Sequence, residues 1–296
     1  MYAMATQNAP APLRSNKTLK LLAITSSFGV NTTQFLYEIA RSEGFTDVVV
    51  GRLYASGCSL KRHVDYTQNQ EPYEDYTKIT SETGEWTKST TTTLLDGILD
   101  EDWDIIFIQQ SASQSGLSYT YYNYIDKLVE YVNAHKTNPN AKFIWNITWA
   151  YQNDCSEKVY ENEFKSDQLY MYQCILEAAR CRVLPLPYFA GIVPSGTAVQ
   201  NVRTSYFGDN LCRSKPTDRI HLNNLGRVVA GYTLFATLTG KPITKIDIGT
   251  VSSYDCLTPL TLDEQDKKVI IEAVNAAIEK PFEVTQSSYP IKGESI

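Results

Sequence analysis

A short segment near the C-terminus, Asp218-Arg219-Ile220-His221, places an acid and a potential base three residues apart. A histidine can take the proton of a hydroxyl nucleophile when a carboxylate fixes its tautomer and stabilises the imidazolium that forms. A serine that could supply such a hydroxyl lies at the other end of the chain, in Ile24-Thr25-Ser26-Ser27-Phe28. If Ser27, His221 and Asp218 meet in the fold, they could attack an acyl carbon and form a covalent intermediate.

Each of these residues also has a structural role that its type allows. Asp218 could cap a helix while His221 packs as a neutral imidazole, and Ser26 and Ser27 could be ordinary turn or cap residues. Ser27 follows an apolar strand and precedes a helix, so backbone N–H groups and the helix dipole would favour negative charge developing there. This position favours a catalytic role for Ser27.

Further candidate residues follow the ends of other predicted strands. Gly57 could let a backbone N–H approach an oxyanion closely, or it could be an ordinary turn glycine. Gln110 could donate its side-chain amide to the same oxyanion, or bond to loop backbone, and strand alternation turns Gln109 to the opposite face. Trp149 and Gln109 are predicted to contact the substrate, whereas Trp145 is predicted to lie in the core.

Alternating strands and helices must bring these residues together. Apolar runs predict strands at Lys20–Ile24, Asp47–Val50 and on towards Tyr54, Asp104–Gln109, Lys142–Trp149 and Val183–Leu186. Helical periodicity predicts helices at Thr32–Ser42, Thr93–Leu99, Tyr119–Ala134, Glu161–Arg180, Asn224–Leu238 and Asp263–Lys280. The pattern predicts an α/β fold with a parallel sheet covered on both faces, and such sheets bind ligands outside the carboxyl ends of their strands.

One domain over residues 18–281 is expected, with terminal extensions at residues 1–17 and 282–296. The polar, Thr-, Glu- and Tyr-rich stretch near residues 66–93 lacks helical periodicity, and we interpret it as an insertion with a β-hairpin over residues 78–86. The start of the chain lacks the apolar run of a signal peptide. The protein is therefore expected in the cytoplasm, or in the periplasm or outside the cell if a signal segment was removed.

Composition excludes several classes of function. The chain has 296 residues, 43% hydrophobic residues and a net charge of −6, which argues against nucleic acid as a partner. It has no apolar run long enough to span a membrane. Six cysteines form no Cys-x-x-Cys pair, so both free thiols and disulfides remain open. His63 and His135 lack metal-ligand spacing and no glycine-rich phosphate motif occurs, so we predict neither a metal nor another cofactor.

Taken together, these pieces resemble the SGNH/GDSL hydrolase superfamily, and within it a bacterial branch. The segments that carry the resemblance are Leu22-Ala23-Ile24-x-x-Ser27-Phe28, Gly57-Cys58-Ser59-Leu60-x-x-His63, Trp103-Asp104-x-Ile106-x-x-Gln109-Gln110, Val193-Pro194-Ser195-Gly196-Thr197-Ala198 and Asp218-Arg219-Ile220-His221-Leu222. The sequence departs from the superfamily's usual motifs at two places. Thr25-Ser26-Ser27 stands where Gly-Asp-Ser or Gly-Asn-Ser is usual, and the asparagine that usually follows the third strand is absent.

The resemblance implies a flavodoxin-like three-layer α/β sandwich, the SGNH hydrolase fold, that hydrolyses esters without a metal. It implies a triad of Ser27, His221 and Asp218, and an oxyanion hole from the backbone N–H groups of Ser27 and Gly57 with the Gln110 side chain. Many relatives deacylate carbohydrates, so a glycan or other small-molecule ester is the implied substrate. Two alternatives stay open, namely a carbohydrate-binding protein with weakened catalysis and a serine acyltransferase.

Overall fold

The computed structural model describes residues 17–213, 218–248 and 260–290. In this part of the chain a seven-stranded sheet has the order β4-β3-β2-β1-β5-β6-β7. Its strands are β1 (Thr18–Thr25), β2 (Asp47–Tyr54), β3 (Asp75–Thr80), β4 (Thr87–Ser89), β5 (Ile105–Ile108), β6 (Lys142–Asn146) and β7 (Phe189–Val193).

Five of the strands are parallel, and β3 and β4 form an antiparallel hairpin at one edge. Numbered along the chain, the parallel strands have the order 2-1-3-4-5 of doubly wound flavodoxin-like sheets. The direction in which strands are added reverses between β1 and β5. Folds of this type bind ligands at this point, outside the carboxyl ends of the strands.

Helices cover the sheet as a three-layer sandwich. They are α1 (Ser27–Thr33), α2 (Leu36–Ser42), α3 (Leu60–Asn69), α4 (Leu94–Leu99), α5 (Tyr124–His135), α6 (Lys158–Phe164), α7 (Gln168–Arg182), α8 (Ser195–Arg203), α9 (Asn224–Thr239) and α10 (Glu264–Glu279). Helices α1, α2, α8 and α10 all pack against α9, while α3, α4 and α5 pack against one another. Because its neighbours enclose it, α9 is buried from Asn224 to Leu238. No helix among the described residues is long and apolar enough to cross a membrane.

The last core strand differs from the prediction. Val183–Leu186 is a turn after α7, with Leu186 N donating to Val183 O at 3.0 Å, and the strand lies instead at Phe189–Val193. Pro185 and Pro187 explain the difference, because proline has no N–H to donate to a strand ladder.

Helix boundaries account for the other differences. The predicted helix over Glu161–Arg180 is divided at Lys165 and Ser166, whose φ angles of 57° and 53° are left-handed. Helix α3 lies partly in the stretch interpreted as non-helical, and it begins where the Ser59 side chain accepts from Arg62 N at 3.3 Å. A hairpin is present, but its strands are Asp75–Thr80 and Thr87–Ser89, so the predicted range of residues 78–86 covers only the end of the first strand and the turn.

The described part of the C-terminal extension is bonded to the body of the protein. Thr285 N donates to Asn201 Oδ1 at 2.7 Å, and Ser287 Oγ donates to Glu272 Oε2 at 2.7 Å. Residues 282–290 therefore lie along α8 and α10. The N-terminal extension, apart from Lys17, lies outside the described residues, as does Cys256, and the five described cysteines are free thiols.

Candidate active site

The position of Ser27 follows from the end of β1. Strand β1 ends at Thr25, which pairs with Tyr54 at the end of β2, while Ile24 pairs with Ile108 at the end of β5. Helix α1 begins directly afterwards at Ser27, with Ser26 as its N-cap residue in an extended conformation. The Ser27 side chain is thus half-exposed at the carboxyl edge of the sheet, where the strand order reverses.

His221 is held by a short two-stranded ladder. Arg213 N donates to His221 O at 2.9 Å, and Asn223 N donates to Leu211 O at 2.8 Å. Next to His221, Leu222 N donates to the buried Asn31 Oδ1 at 2.8 Å. Asn31 lies one turn after Ser27 on α1, so this bond couples the histidine segment to the helix that carries the serine.

Ser27, His221 and Asp218 form a hydrogen-bonded series, which we call the Ser–His–Asp row. His221 Nε2 lies 2.9 Å from Ser27 Oγ, and His221 Nδ1 lies 3.0 Å from Asp218 Oδ1. Asp218 Oδ1 also accepts from His221 N at 3.1 Å and from Ile220 N at 3.4 Å. With the Nδ1 proton on the Asp218 side, Nε2 presents its lone pair to the serine hydroxyl.

The surroundings of Asp218 keep it ionised. Burial opposes the negative charge, but the side-chain and backbone hydrogen bonds from His221 outweigh it and lower the pKa of Asp218 to about 2. The Arg213 guanidinium, whose Nη1 lies 3.5 Å from Asp218 Oδ2, lowers this pKa further. Asp218 is therefore an acceptor at neutral pH, and it can stabilise a protonated His221.

An aromatic layer supports the row from inside the protein. The ring of Phe28 stacks on Trp149 with centroids 4.0 Å apart and meets His221 edge-on at 6.0 Å. Trp149 Nε1 donates to Ile220 O at 2.8 Å, and the Trp149 side chain is 0% exposed. This burial does not support the predicted contact of Trp149 with a substrate, and the ring supports the segment that carries His221.

Gln109 belongs to a buried polar network under the serine. Its Nε2 donates to Ser26 Oγ at 3.3 Å, and its Oε1 accepts from Asn146 Nδ2 at 3.0 Å. Asn146 Oδ1 accepts in turn from Ser195 Oγ at 2.7 Å, and all four side chains are buried. The burial and bonding of Gln109 do not support the predicted contact with a substrate, and the network links the residue before Ser27 to β5, β6 and α8.

Asn146 and Ser195 are members of this network that the sequence analysis missed as functional candidates. The available signal was an asparagine inside the apolar run Lys142-Phe143-Ile144-Trp145-Asn146. A polar side chain at a buried position needs a partner, so such a residue marks a buried network.

Gln110 has both ends of its amide occupied elsewhere. Its Oε1 accepts from Leu60 N at 3.0 Å and from Ser111 N at 2.9 Å. Its Nε2 donates to Thr120 Oγ1 at 3.1 Å and to Thr120 O at 3.3 Å, and the side chain is buried. This geometry does not support Gln110 as an oxyanion donor, since its amide joins the start of α3 to the loop after β5.

Gly57 lies in a tight turn next to the end of β1. Cys58 N donates to Ala55 O at 3.2 Å, and Ala55 N donates to Thr25 O at 3.4 Å. Gly57 is exposed with φ +58°, in the left-handed region that favours glycine. The turn and the start of α1 are therefore neighbours at the same edge of the sheet.

A cavity of about 330 Å³ opens beside the Ser–His–Asp row. Four of its lining residues come from α1 and the histidine segment, namely Ser27, Val30, Asn31 and His221. The other described residues that line it are Arg52, Tyr54, Asp75, Thr77, Lys88 and Arg213. A larger groove, of about 1240 Å³, runs along α7, α8 and residues 282–286, and it includes none of the predicted site residues.

Comparisons with known proteins give the following matches. A family model described as a domain of unknown function, DUF4886, matches residues 20–255. A crystal structure of a DUF4886 family protein from Bacteroides uniformis ATCC 8492 at 1.50 Å resolution has a TM-score of 0.79 and 32% identity, covering 91% of this chain and 98% of that chain.

A gut microbial diltiazem-metabolizing enzyme has a TM-score of 0.46 and 12% identity, covering 77% of this chain and 48% of that chain, a likeness too weak to bear on function. No curated protein matches the chain significantly. The match over residues 20–255 spans most of the sequence. The chain therefore belongs to the DUF4886 family.

Proposed function

We propose that this protein is a serine esterase of the SGNH/GDSL type, in which Ser27, His221 and Asp218 act as nucleophile, base and orienting acid. The observation that carries the proposal is the hydrogen bonding of one histidine to both partners, at 2.9 Å to Ser27 Oγ and 3.0 Å to Asp218 Oδ1. The substrate class is a small-molecule or glycan ester.

In the proposed reaction Ser27 Oγ attacks the ester carbonyl while His221 Nε2 takes the hydroxyl proton. The tetrahedral intermediate collapses, the alcohol leaves with the proton from His221, and the acyl group stays on Ser27. Water then attacks the acyl-enzyme with His221 as base, which releases the acid and restores the serine. The Asp218 carboxylate holds the imidazole in the required tautomer and stabilises its protonated form.

The alternative that Asp218 only caps a helix has weaker support, because another residue caps the helix that follows. The N-cap of α9 is Asn223, whose Oδ1 accepts from Gly226 N at 3.1 Å. The Asp218 carboxylate faces the His221 ring and two backbone N–H groups of its own turn. This arrangement favours an orienting role for Asp218.

The proposed oxyanion hole consists of the backbone N–H groups of Ser27 and Gly57. Ser27 is the first residue of α1, where a helix leaves N–H groups without intrahelical partners. The left-handed φ of Gly57 belongs to a turn that borders the end of β1. Gln110 is left out of this proposal, since its amide is bonded to Thr120 and Leu60.

Hydrolysis of a short-chain aryl acetate by purified variants tests the proposal. We expect Ser27→Ala and His221→Ala each to lower hydrolysis to the rate measured without enzyme. Their circular dichroism spectra should match that of the wild type. His135→Ala is the matched control, because His135 caps the end of α5 by bonding to Tyr131 O at 2.8 Å and lies outside the site. Wild-type activity in Ser27→Ala or His221→Ala would refute the proposal.

Acyl transfer to an alcohol proceeds through the same acyl-enzyme, so the products must be identified directly. With an alcohol acceptor present, an esterase releases mainly the free acid, whereas a transferase forms mainly the new ester. The remaining alternative is a carbohydrate-binding protein without hydrolytic activity. If the wild type hydrolyses no ester, titration with glycans tests whether it binds them.

A further inference from the structure

We infer that Arg62 and Glu74 are positioning residues that fix the direction of the Gly57 N–H group, an inference that rests on the proposed esterase function. In that function the Gly57 N–H is one of the two oxyanion donors. It belongs to the peptide between Ser56 and Gly57, and the C=O and N–H groups of one trans peptide point in opposite directions. Whatever holds the Ser56 carbonyl therefore also aims the Gly57 N–H.

The turn that contains this peptide can form with the peptide in either of two directions. Cys58 N donates to Ala55 O at 3.2 Å, which closes a β-turn with Ser56 and Gly57 as its central residues. Gly57 has φ +58° and Ser56 has no positive φ, which is the combination of a type II turn. A type I turn joins the same ends with the central peptide rotated by about 180°, and glycine can adopt both conformations.

Arg62 and Glu74, which we call the turn clamp, bond to the backbone of Ser56 on both of its sides. Arg62 Nη1 donates to Ser56 O at 2.9 Å, and Ser56 N donates to Glu74 Oε2 at 2.9 Å. Arg62 Nη2 also donates to Glu74 Oε1 at 3.2 Å, so the three residues form a closed ring of hydrogen bonds. In a type I turn the Ser56 carbonyl would point away from Arg62 and lose its bond. The turn clamp therefore favours the type II turn.

The turn clamp is suited to orienting a peptide more than to stabilising the fold. The Arg62 and Glu74 side chains are 43% and 44% exposed, and exposed ion pairs contribute little to the free energy of unfolding. Glycine tolerates both turn types, so one charge-assisted hydrogen bond to the Ser56 carbonyl is enough to decide between them.

A buried cluster beneath the turn fixes the backbone from which the turn clamp extends. Cys58, His63 and Tyr73 are the chain neighbours of the turn glycine and of the two clamp residues. His63 Nδ1 lies 2.7 Å from Tyr73 OH and 3.4 Å from Cys58 Sγ, and all three side chains are at most 1% exposed. The turn and the turn clamp are thus held in a fixed relation to each other.

The Gly57 N–H is available to an oxyanion. Among the described residues none accepts a hydrogen bond from it, and apart from its chain neighbours an added Cβ would meet no described atom within 4 Å. Ala55 N donates to Thr25 O at 3.4 Å, which joins the turn to the end of β1. The two proposed donors, on Gly57 and Ser27, therefore lie on adjoining segments.

Steady-state kinetics with 4-nitrophenyl acetate tests the turn clamp. We expect Arg62→Met and Glu74→Leu each to lower kcat by on the order of tenfold, because a released peptide mostly adopts the commoner type I direction. This is less than the about hundred- to thousandfold cost of losing an oxyanion donor outright. KM should stay unchanged, since acylation and deacylation both pass through an oxyanion in the same hole.

Lys61→Met is the matched control for Arg62→Met. Lys61 precedes Arg62 on α3, and its Nζ lies 2.7 Å from Asp65 Oδ2 in another exposed pair. This pair joins two residues of the helix, so the control should keep the wild-type kcat. Both variants should keep the urea unfolding midpoint of the wild type, because each removes an exposed pair.

Gly57→Ala identifies the group through which Arg62 acts. Alanine disfavours the left-handed φ, so the peptide should turn away whether or not Arg62 is present. In the Gly57→Ala background Arg62→Met should therefore lower kcat by less than about twofold. The remaining rate is measurable, because a catalytic triad contributes far more than one oxyanion donor.

The outcomes separate this inference from the function on which it rests. If the wild type hydrolyses the ester in a Ser27-dependent way and Arg62→Met or Glu74→Leu keeps the wild-type kcat, the role of that residue is overturned and the esterase proposal stands. An equal loss from Arg62→Met in both backgrounds also overturns the inference, because Arg62 would then act through another group. If hydrolysis does not depend on Ser27, the esterase proposal itself fails.

Discussion

Replacing Asn146 by leucine is expected to destabilise the protein and to slow turnover, because Asn146 is the centre of the buried network under Ser26. Asn146 is 1% exposed, donates to Gln109 Oε1 at 3.0 Å and accepts from Ser195 Oγ at 2.7 Å. Leucine fills a similar volume but leaves both of these partner groups without their hydrogen bonds inside the core.

The size of the effect can be worked from these contacts. Each buried polar group left unsatisfied costs about 1–3 kcal/mol, and the extra apolar burial of leucine returns about 1–2 kcal/mol. The expected decrease in the free energy of unfolding is therefore about 3 kcal/mol. The Gln109 amide would lose its anchor to β6, so the Ser26–Ser27 backbone would be held less firmly, and kcat should fall by on the order of tenfold.

Urea unfolding followed by tryptophan fluorescence measures the stability, and initial rates at saturating aryl ester measure kcat. Asn133→Leu is the control, because Asn133 is exposed on α5 and its replacement should change stability by less than about 0.5 kcal/mol. A loss below about 1 kcal/mol in Asn146→Leu, with an unchanged m-value and unchanged kcat, would refute the view that this network anchors the nucleophile.

Three further predictions concern the row and its support. Asp218→Asn should lower kcat by at least about a hundredfold with little change in KM, because the orienting carboxylate acts mainly on the transition state; steady-state kinetics measures both constants. The folded protein holds the pKa of Asp218 at about 2, below the unfolded value of about 3.9. The ionised Asp218 therefore contributes fully to stability above about pH 5, and this contribution decreases as the pH falls towards 2. Urea unfolding across this pH range should show a steeper loss of stability in the wild type than in Asp218→Asn. Trp149→Phe keeps an aromatic ring next to Phe28 but removes the N–H that donates to Ile220 O, so we expect about 1–2 kcal/mol lower stability and reduced kcat in the same assays.

Each of these has a result that contradicts it. An unchanged kcat in Asp218→Asn removes the orienting role. Parallel pH dependence of stability in wild type and Asp218→Asn contradicts the lowered pKa. Wild-type stability and kcat in Trp149→Phe contradict the support that the indole N–H gives to the His221 segment.

The parallel sheet was predictable because apolar runs of strand length alternate with amphipathic helices, whereas the order of its strands was seen only in the structure. That alternation predicted β1, β2, β5 and β6, and it placed Ser27 and Gly57 at neighbouring strand ends. Val183–Leu186 has the same apolar character but was wrong as a strand, since Pro185 interrupts any ladder. Local patterns thus predict an element well when no proline or left-handed residue interrupts it.

The roles of Gln109, Gln110 and Trp149 could not be predicted from local patterns. Strand alternation correctly separates the two amides to opposite sides, but helices cover both faces of a central parallel strand, so both amides are buried. Their partners, such as Leu60 N for Gln110 and Ile220 O for Trp149, lie 50 and 71 positions away in sequence. Only the folded chain reveals that these polar groups are buried and bonded to one another or to the backbone.

Labelling with a fluorophosphonate tests the central claim most directly, because this reagent forms a stable bond only with an activated serine. We expect intact-protein mass spectrometry to show one phosphonyl adduct per chain, peptide mapping to place it on Ser27, and labelling to be absent in Ser27→Ala and strongly slowed in His221→Ala. No adduct on the folded wild type, or an adduct on a different serine with Ser27 unmodified, would contradict the assignment of Ser27 as the nucleophile.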